Sequence, residues 1–207
     1  MNKFDSIRPY KDEEVNKVIL ELCNNKNVIK AAIASSKYSF IKKIPFSKLL
    51  MSIFLKNRFK NIQSIVEYQN IFKNLVKKII KNSIKNFDVT GIDNLDNSNA
   101  YLFISNHRDI TLDSALLNFQ LHKSNLKTTN NAVGNNLLTE KWASDLMRLN
   151  KSFIIDRSDK FKKDIYKSLK LASEFIYDCI TSKNESIWIA QKQGRSKDGV
   201  DYTDPSV

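Results

Sequence analysis

The residues best suited to chemistry lie in one short stretch, Ser105-Asn-His-Arg-Asp-Ile-Thr-Leu-Asp113. His107 follows the amide of Asn106 and precedes two carboxylates, Asp109 and Asp113. An imidazole ordinarily titrates near ~6.5, so it can take the proton of an attacking hydroxyl at neutral pH. A carboxylate on its other nitrogen would orient the ring and stabilise its charged form, and either aspartate can serve. Cations come later, at Arg157 and in Gly194-Arg-Ser-Lys197. One base among several cations suits a substrate with a reacting hydroxyl and an anionic group such as a phosphate. Arginine fits that anion best, because its planar fork binds two oxygens at once.

Each of these residues alone has a plainer explanation. A lone turn histidine is usually structural, both aspartates suit helix caps, and Arg157 suits a helix-start surface charge. Gln193 to Gly199 is compatible with an ordinary turn. His122 lies at a polar helix end and carries no assigned role. The functional expectation therefore rests on the elements that bring the set together.

Five apolar or β-prone residues, Ala100 to Ile104, lead into Ser105-Asn106 as a strand. Leu112, Ala115, Leu116 and Phe119 then recur at helical spacing to about Leu121. His107 thus falls on a turn between strand and helix. Further strands are expected over Lys127–Val133, Lys151–Asp156 and Glu185–Ala190, and Asp88 to Asn94 is expected to be a strand end and turn. Between them lie a helix with Trp142, Leu146 and Leu149, capped by Thr139, and a long helix from Phe161 to Cys179, capped by Ser158 or Asp159. This alternation predicts an α/β fold, a mostly parallel sheet flanked by helices, over residues 87–207. Sites in such sheets collect at the carboxyl ends of strands, where His107, Arg157 and Arg195 all fall.

Residues 1–86 read as an N-terminal helical region. Val15, Val18, Ile19 and Leu22 mark one helix, Phe46 to Phe59 a second, and Ile62 to Ile80 an amphipathic third. The other face of that third helix carries Lys73, Lys77, Lys78, Lys81 and Lys85. The chain has 207 residues and a net charge of +12, with 34 Lys and Arg. Eleven of those 34 basic residues fall between positions 42 and 85, against the single acid Glu67. Two readings fit this segment, a solvated lysine face on a packed helix or attraction to an anionic membrane surface. A nucleic-acid partner is not expected, since arginines are few there and no nucleic-acid module is recognisable.

The 42% hydrophobic content supports a sizeable core, and 27% charged residues argue against a disordered chain. No signal peptide or run of ~18 apolar residues is present. Cys23 and Cys179 lack metal-like or redox-like spacing and are expected in the core of a reduced, intracellular protein.

Three blocks, in order, resemble those of the glycerolipid acyltransferases, the glycerol-3-phosphate and 1-acylglycerol-3-phosphate acyltransferase family. They are Asn106-His-Arg-Asp-Ile-Thr-Leu-Asp113, Phe153-Ile-Ile-Asp-Arg157 and Trp188-Ile-Ala-Gln-Lys-Gln-Gly-Arg-Ser196. Ile7-Arg-Pro-Tyr10 and Ala190 to Gly199 resemble a bacterial subgroup more closely. The resemblance implies acyl transfer from acyl-CoA or acyl carrier protein to a glycerol phosphate or lysophospholipid hydroxyl, in phospholipid biosynthesis. His107 would be the base, with Asp113 ahead of Asp109 as its partner. Asn106, Arg157, Gly194, Arg195 and Ser196 would hold substrate, the two arginines and Gly194 at the acceptor's phosphate. No metal or cofactor is implied beyond the thioester co-substrate. The expected location is cytoplasmic, peripheral on the inner face of the cell membrane.

The sequence departs from the family pattern in three places. Asp113 follows His107 after five residues rather than four, and Gln193 stands where the family has glutamate. The chain stops at Val207, before a fourth proline-containing block, which predicts C-terminal truncation. That prompts a second expectation, an impaired homologue that only binds acidic membrane surfaces.

Overall fold

The computed structural model describes residues 2–35, 45–110, 112–156, 161–200 and 202–205. Four helices come first: α1 (Asp12–Asn24), α2 (Lys26–Ser35), α3 (Ser47–Phe59) and α4 (Ile65–Ser83). Strands and helices then alternate: β1 (Leu102–Ser105), α5 (Leu112–Lys123), β2 (Asn130–Gly134), α6 (Lys141–Leu149), β3 (Ser152–Ile155), α7 (Lys162–Thr181) and β4 (Ile187–Ala190). The order across the sheet is β1-β4-β2-β3, and every pairing is parallel. The fold is α/β, as the alternation predicts.

Local chemistry explains most element boundaries. In α4, Ser64 accepts the Glu67 amide while the Glu67 carboxylate takes the Ser64 amide, a reciprocal cap. Asp12, Glu13 and Glu14 occupy the first turn of α1, where the helix dipole favours negative charge.

Three expectations need correction. Thr139 is not the cap of α6; Glu140 holds that position without a side-chain cap bond. Asp88 to Thr90 forms no strand with the described residues, and the turn that follows is set by Gly91 at φ +77°. The second strand starts at Asn130 rather than Lys127, because the amides before it are used elsewhere. The Lys127 amide donates to Asn97 Oδ1 and the Thr129 amide to Asn118 Oδ1. The caps expected at Ser158 or Asp159 lie outside the described residues.

Two buried clusters hold the layers together. One joins Val15, Val18, Ile19, Leu22 and Cys23 of α1 to Ile65 and Tyr68 of α4 and Leu149 of α6. The other, between sheet and α7, joins Ile7, Phe153, Ala172, Phe175, Cys179 and Ile187. Leu149, Phe153 and Ile187 are wholly buried, each stabilising the fold by about 1.5–3 kcal/mol relative to exposure. Both cysteines are buried and free. No helix among the described residues is long and apolar enough to cross a membrane.

The Ile7-Arg-Pro-Tyr10 segment is a strap. Ile7 accepts the Ile154 amide along the outer edge of β3, and the Tyr10 hydroxyl donates to Asp145 at 2.7 Å. Arg8 sits between Asp5, at 2.8 Å, and Glu14, at 2.6 Å. Hydrogen bonds from Arg8 are the largest cause holding both carboxyls below their ordinary range. A depressed folded pKa gives stabilisation that is full above the unfolded value, 4.5 for Glu14, and is lost as pH falls through the lower folded value. Thermal melts of wild type and Arg8→Gln should therefore converge as the pH drops below that range. A gap of constant size from neutral to strongly acidic pH would contradict this linkage.

Candidate active site

β1 ends at Ser105, and the chain turns through Asn106, His107, Arg108 and Asp109 before α5 begins at Leu112. Asp109 Oδ1 accepts the Leu112 amide at 2.8 Å, so this aspartate serves as a helix cap. Asp113, in the first turn of α5, has its carboxylate turned back into the loop. Its Oδ2 accepts the Arg108 amide at 2.9 Å and the Asp109 amide at 3.1 Å. His107 Nδ1 lies 2.9 Å from the same oxygen. The loop thus wraps around one carboxylate, which is how five intervening residues still allow contact.

An ionised carboxylate only accepts hydrogen bonds, so opposite one His107 Nδ1 is the donor, and in the neutral imidazole Nε2 then carries the lone pair. The two side chains are 18% and 16% exposed, enough shielding to strengthen their interaction while leaving access from one side. The indole of Trp188 meets the imidazole edge-on, with centroids 6.3 Å apart. Trp188 Nε1 in turn donates to Ser105 Oγ at 3.0 Å. A base with a fixed tautomer, at the carboxyl end of a parallel sheet, can remove a proton from a hydroxyl placed against Nε2.

A family model described as Acyltransferase matches residues 86–199, a span that holds all four strands and the whole His107 turn. The chain belongs to the acyltransferase family, that of the glycerolipid acyltransferases. A comparison with curated proteins returned no match.

In this acyltransferase β4 is the neighbour of β1, so the loop after β4 falls beside the histidine. His107, Gln191, Lys192, Gly194, Ser196, Val200 and Tyr202 line a shallow, open depression. The Ser196 amide donates to the His107 carbonyl at 2.8 Å, and its hydroxyl donates within the loop to Val200 O. Gly194 stands at φ +78°, and a Cβ there would meet nothing within 4 Å. Its glycine is thus required by the backbone conformation rather than by crowding. Asn106 is exposed, and its Oδ1 accepts from Gln191. Arg195 is exposed on the same loop, and its side chain has no hydrogen bond or ion pair with another described residue. Arg157 lies outside the described residues.

Three contributors carry no assigned role in the sequence reading. Lys192 lines the depression, with its ammonium 3.6 Å from the Tyr202 ring centroid. Tyr202 supplies that ring from beyond the matched blocks. Gln191 is the hub of the junction: its amide donates to Ser105 O at 2.8 Å and its Nε2 to Asn106 Oδ1 at 2.6 Å. Its Oε1 accepts from Thr203 at 3.2 Å. The position of Gln191 within the third block was the only signal available in the sequence.

Gln191→Ala removes both side-chain bonds while keeping the backbone ladder. Losing two bonds of about 0.5–1.5 kcal/mol each should lower thermal stability modestly, and the loosened turn should lower kcat by roughly tenfold. Gln191→Glu cannot donate to Asn106 and should not restore turnover. An alanine variant with wild-type kcat would remove Gln191 from the positioning of this turn.

Proposed function

We propose that this acyltransferase moves a fatty acyl group from a thioester, acyl-CoA or acyl carrier protein, to a hydroxyl of a glycerol phosphate or lysophospholipid. The single observation behind it is the His107–Asp113 contact at 2.9 Å, which leaves Nε2 able to accept the acceptor's proton. As the hydroxyl oxygen attacks the thioester carbonyl, its proton passes to Nε2 and Asp113 stabilises the imidazolium. The tetrahedral intermediate then expels the thiolate, which receives that proton, giving an ester and a free thiol. Attack is direct, so no acyl group needs to be carried by the protein.

Anion binding is the part of the reading that selects the acceptor. Gly194 and Arg195 on the β4 loop, together with Lys192 in the depression and Arg157 after β3, would hold the acceptor's phosphate. Asn106 and Ser196 shape the same surface. Such amphiphilic substrates place the work at a membrane, with the protein peripheral on its cytoplasmic face. The test is release of thiol from palmitoyl-CoA or a palmitoyl carrier protein with glycerol 3-phosphate, lysophosphatidic acid or glycerol as acceptor. Release that depends on a phosphorylated acceptor is expected. Release that is equal with glycerol would refute the anion-binding part, and none with any acceptor would refute acyl transfer.

A further inference from the structure

Among the described residues, the face of α3 turned away from the core has no partner. Leu55 and Phe59 pack against the helical core, and the buried Ser52 hydroxyl donates to Asn24. Leu49, Leu50, Ile53 and Phe54 form a stripe on the opposite side, with Phe46 just before it. All five are exposed, from 47% for Ile53 to 80% for Phe46. Single exposed apolar residues are ordinary, but a contiguous stripe of large ones marks an interaction site.

Helical geometry places Lys56 and Arg58 on the two flanks of this stripe, with Lys60 just beyond its end. No acid lies anywhere on α3. We propose that the exposed face of α3 inserts into the headgroup layer of an anionic lipid bilayer, with Lys56, Arg58 and Lys60 on the lipid phosphates. Charge decides between lipid and a second copy of the chain. Two α3 faces packed together would gather their lysines and arginines with no acid on either helix to offset them. An anionic surface offsets them, and the long basic side chains can cover apolar surface while their charged ends reach phosphate. The exposed Lys77, Lys78 and Lys81 of α4 add attraction at longer range without an apolar face of comparable size.

This assignment takes from the preceding reading only that the protein meets lipid, and it needs no turnover. It is tested by co-sedimentation of the full chain with vesicles of equimolar phosphatidylcholine and phosphatidylglycerol. Leu50→Glu/Phe54→Glu, at two exposed positions, should lower partitioning on the order of a hundredfold. Lys77→Gln/Lys78→Gln/Lys81→Gln should lower it less and flatten its salt dependence. In Phe54→Trp, the indole fluorescence should be quenched by lipids brominated on their acyl chains. His107→Ala should bind vesicles like wild type, which separates failure of docking from failure of the chemistry. Wild-type partitioning by the α3 double variant, or an unquenched indole, would overturn the proposal. So would a solution dimer dissolved by Leu50→Glu/Phe54→Glu together with absent vesicle binding, since a second copy would then be the occupant.

Discussion

His107→Ala is expected to lower acceptor-dependent thiol release by about 10²–10⁴-fold, the usual contribution of a positioned general base. The fold should survive the change. Asp113 keeps both backbone amide donors, from Arg108 and Asp109, so the loop stays wrapped around its carboxylate. What is lost structurally is one hydrogen bond and an edge contact with Trp188, on the order of 1 kcal/mol. Activity and stability should therefore separate widely in this variant. The check is turnover alongside thermal unfolding of the same preparation. Turnover within twofold of wild type would remove His107 from the chemistry, and a collapse of the fold would point to a structural histidine.

Asp113→Asn should be nearly as damaging to turnover, at about 10³–10⁴-fold, by analogy with other hydroxyl-activating dyads. The amide oxygen can still accept backbone amides, so the loop keeps most of its shape. The amide cannot provide a charged acceptor for Nδ1, so the imidazolium loses its stabilising charge and the tautomer is no longer enforced. Asp109→Ala is the contrasting variant. Asp109 accepts the Leu112 amide at the start of α5, and losing such a cap costs about 1 kcal/mol of stability. Its effect on turnover should be several-fold at most. Equal losses of kcat from Asp113→Asn and Asp109→Ala would contradict the division of labour that the distances support.

Locally encoded features were the legible ones. The strand–turn–helix around His107, the long α7 and the amphipathic α4 all follow from side-chain periodicity over short stretches. The ambiguity between Asp109 and Asp113 was different in kind. Both lie near a helix start, and which carboxylate faces the histidine depends on how the intervening backbone bends. No spacing rule specifies that bend. The start of β2 is hidden in the sequence for a related reason: Thr129 is β-prone, but Asn118 of α5 takes its amide and hydroxyl.

The N-terminal segment shows the same division. Lysines on one side of an amphipathic pattern made α4 conspicuous as a membrane element, whereas α3 reads only as a short apolar helix. Which of its faces stays in water depends on how α1 and α2 pack against it. Those contacts leave Leu50 and Phe54 outside while Leu55 and Phe59 are partly covered.

By itself the sequence determined that strands and helices alternate, that a histidine with nearby carboxylates ends the first strand, and that further cations follow later strands. These properties depend on neighbours within a few turns or one strand length. The tertiary structure alone decided that β4 lies beside β1, which brings Gln191 and Ser196 to the His107 turn across 85 residues for the Gln191–Asn106 bond. Strand order is set by how whole faces bury against helices such as α6 and α7, a balance of distant contacts that no local pattern encodes.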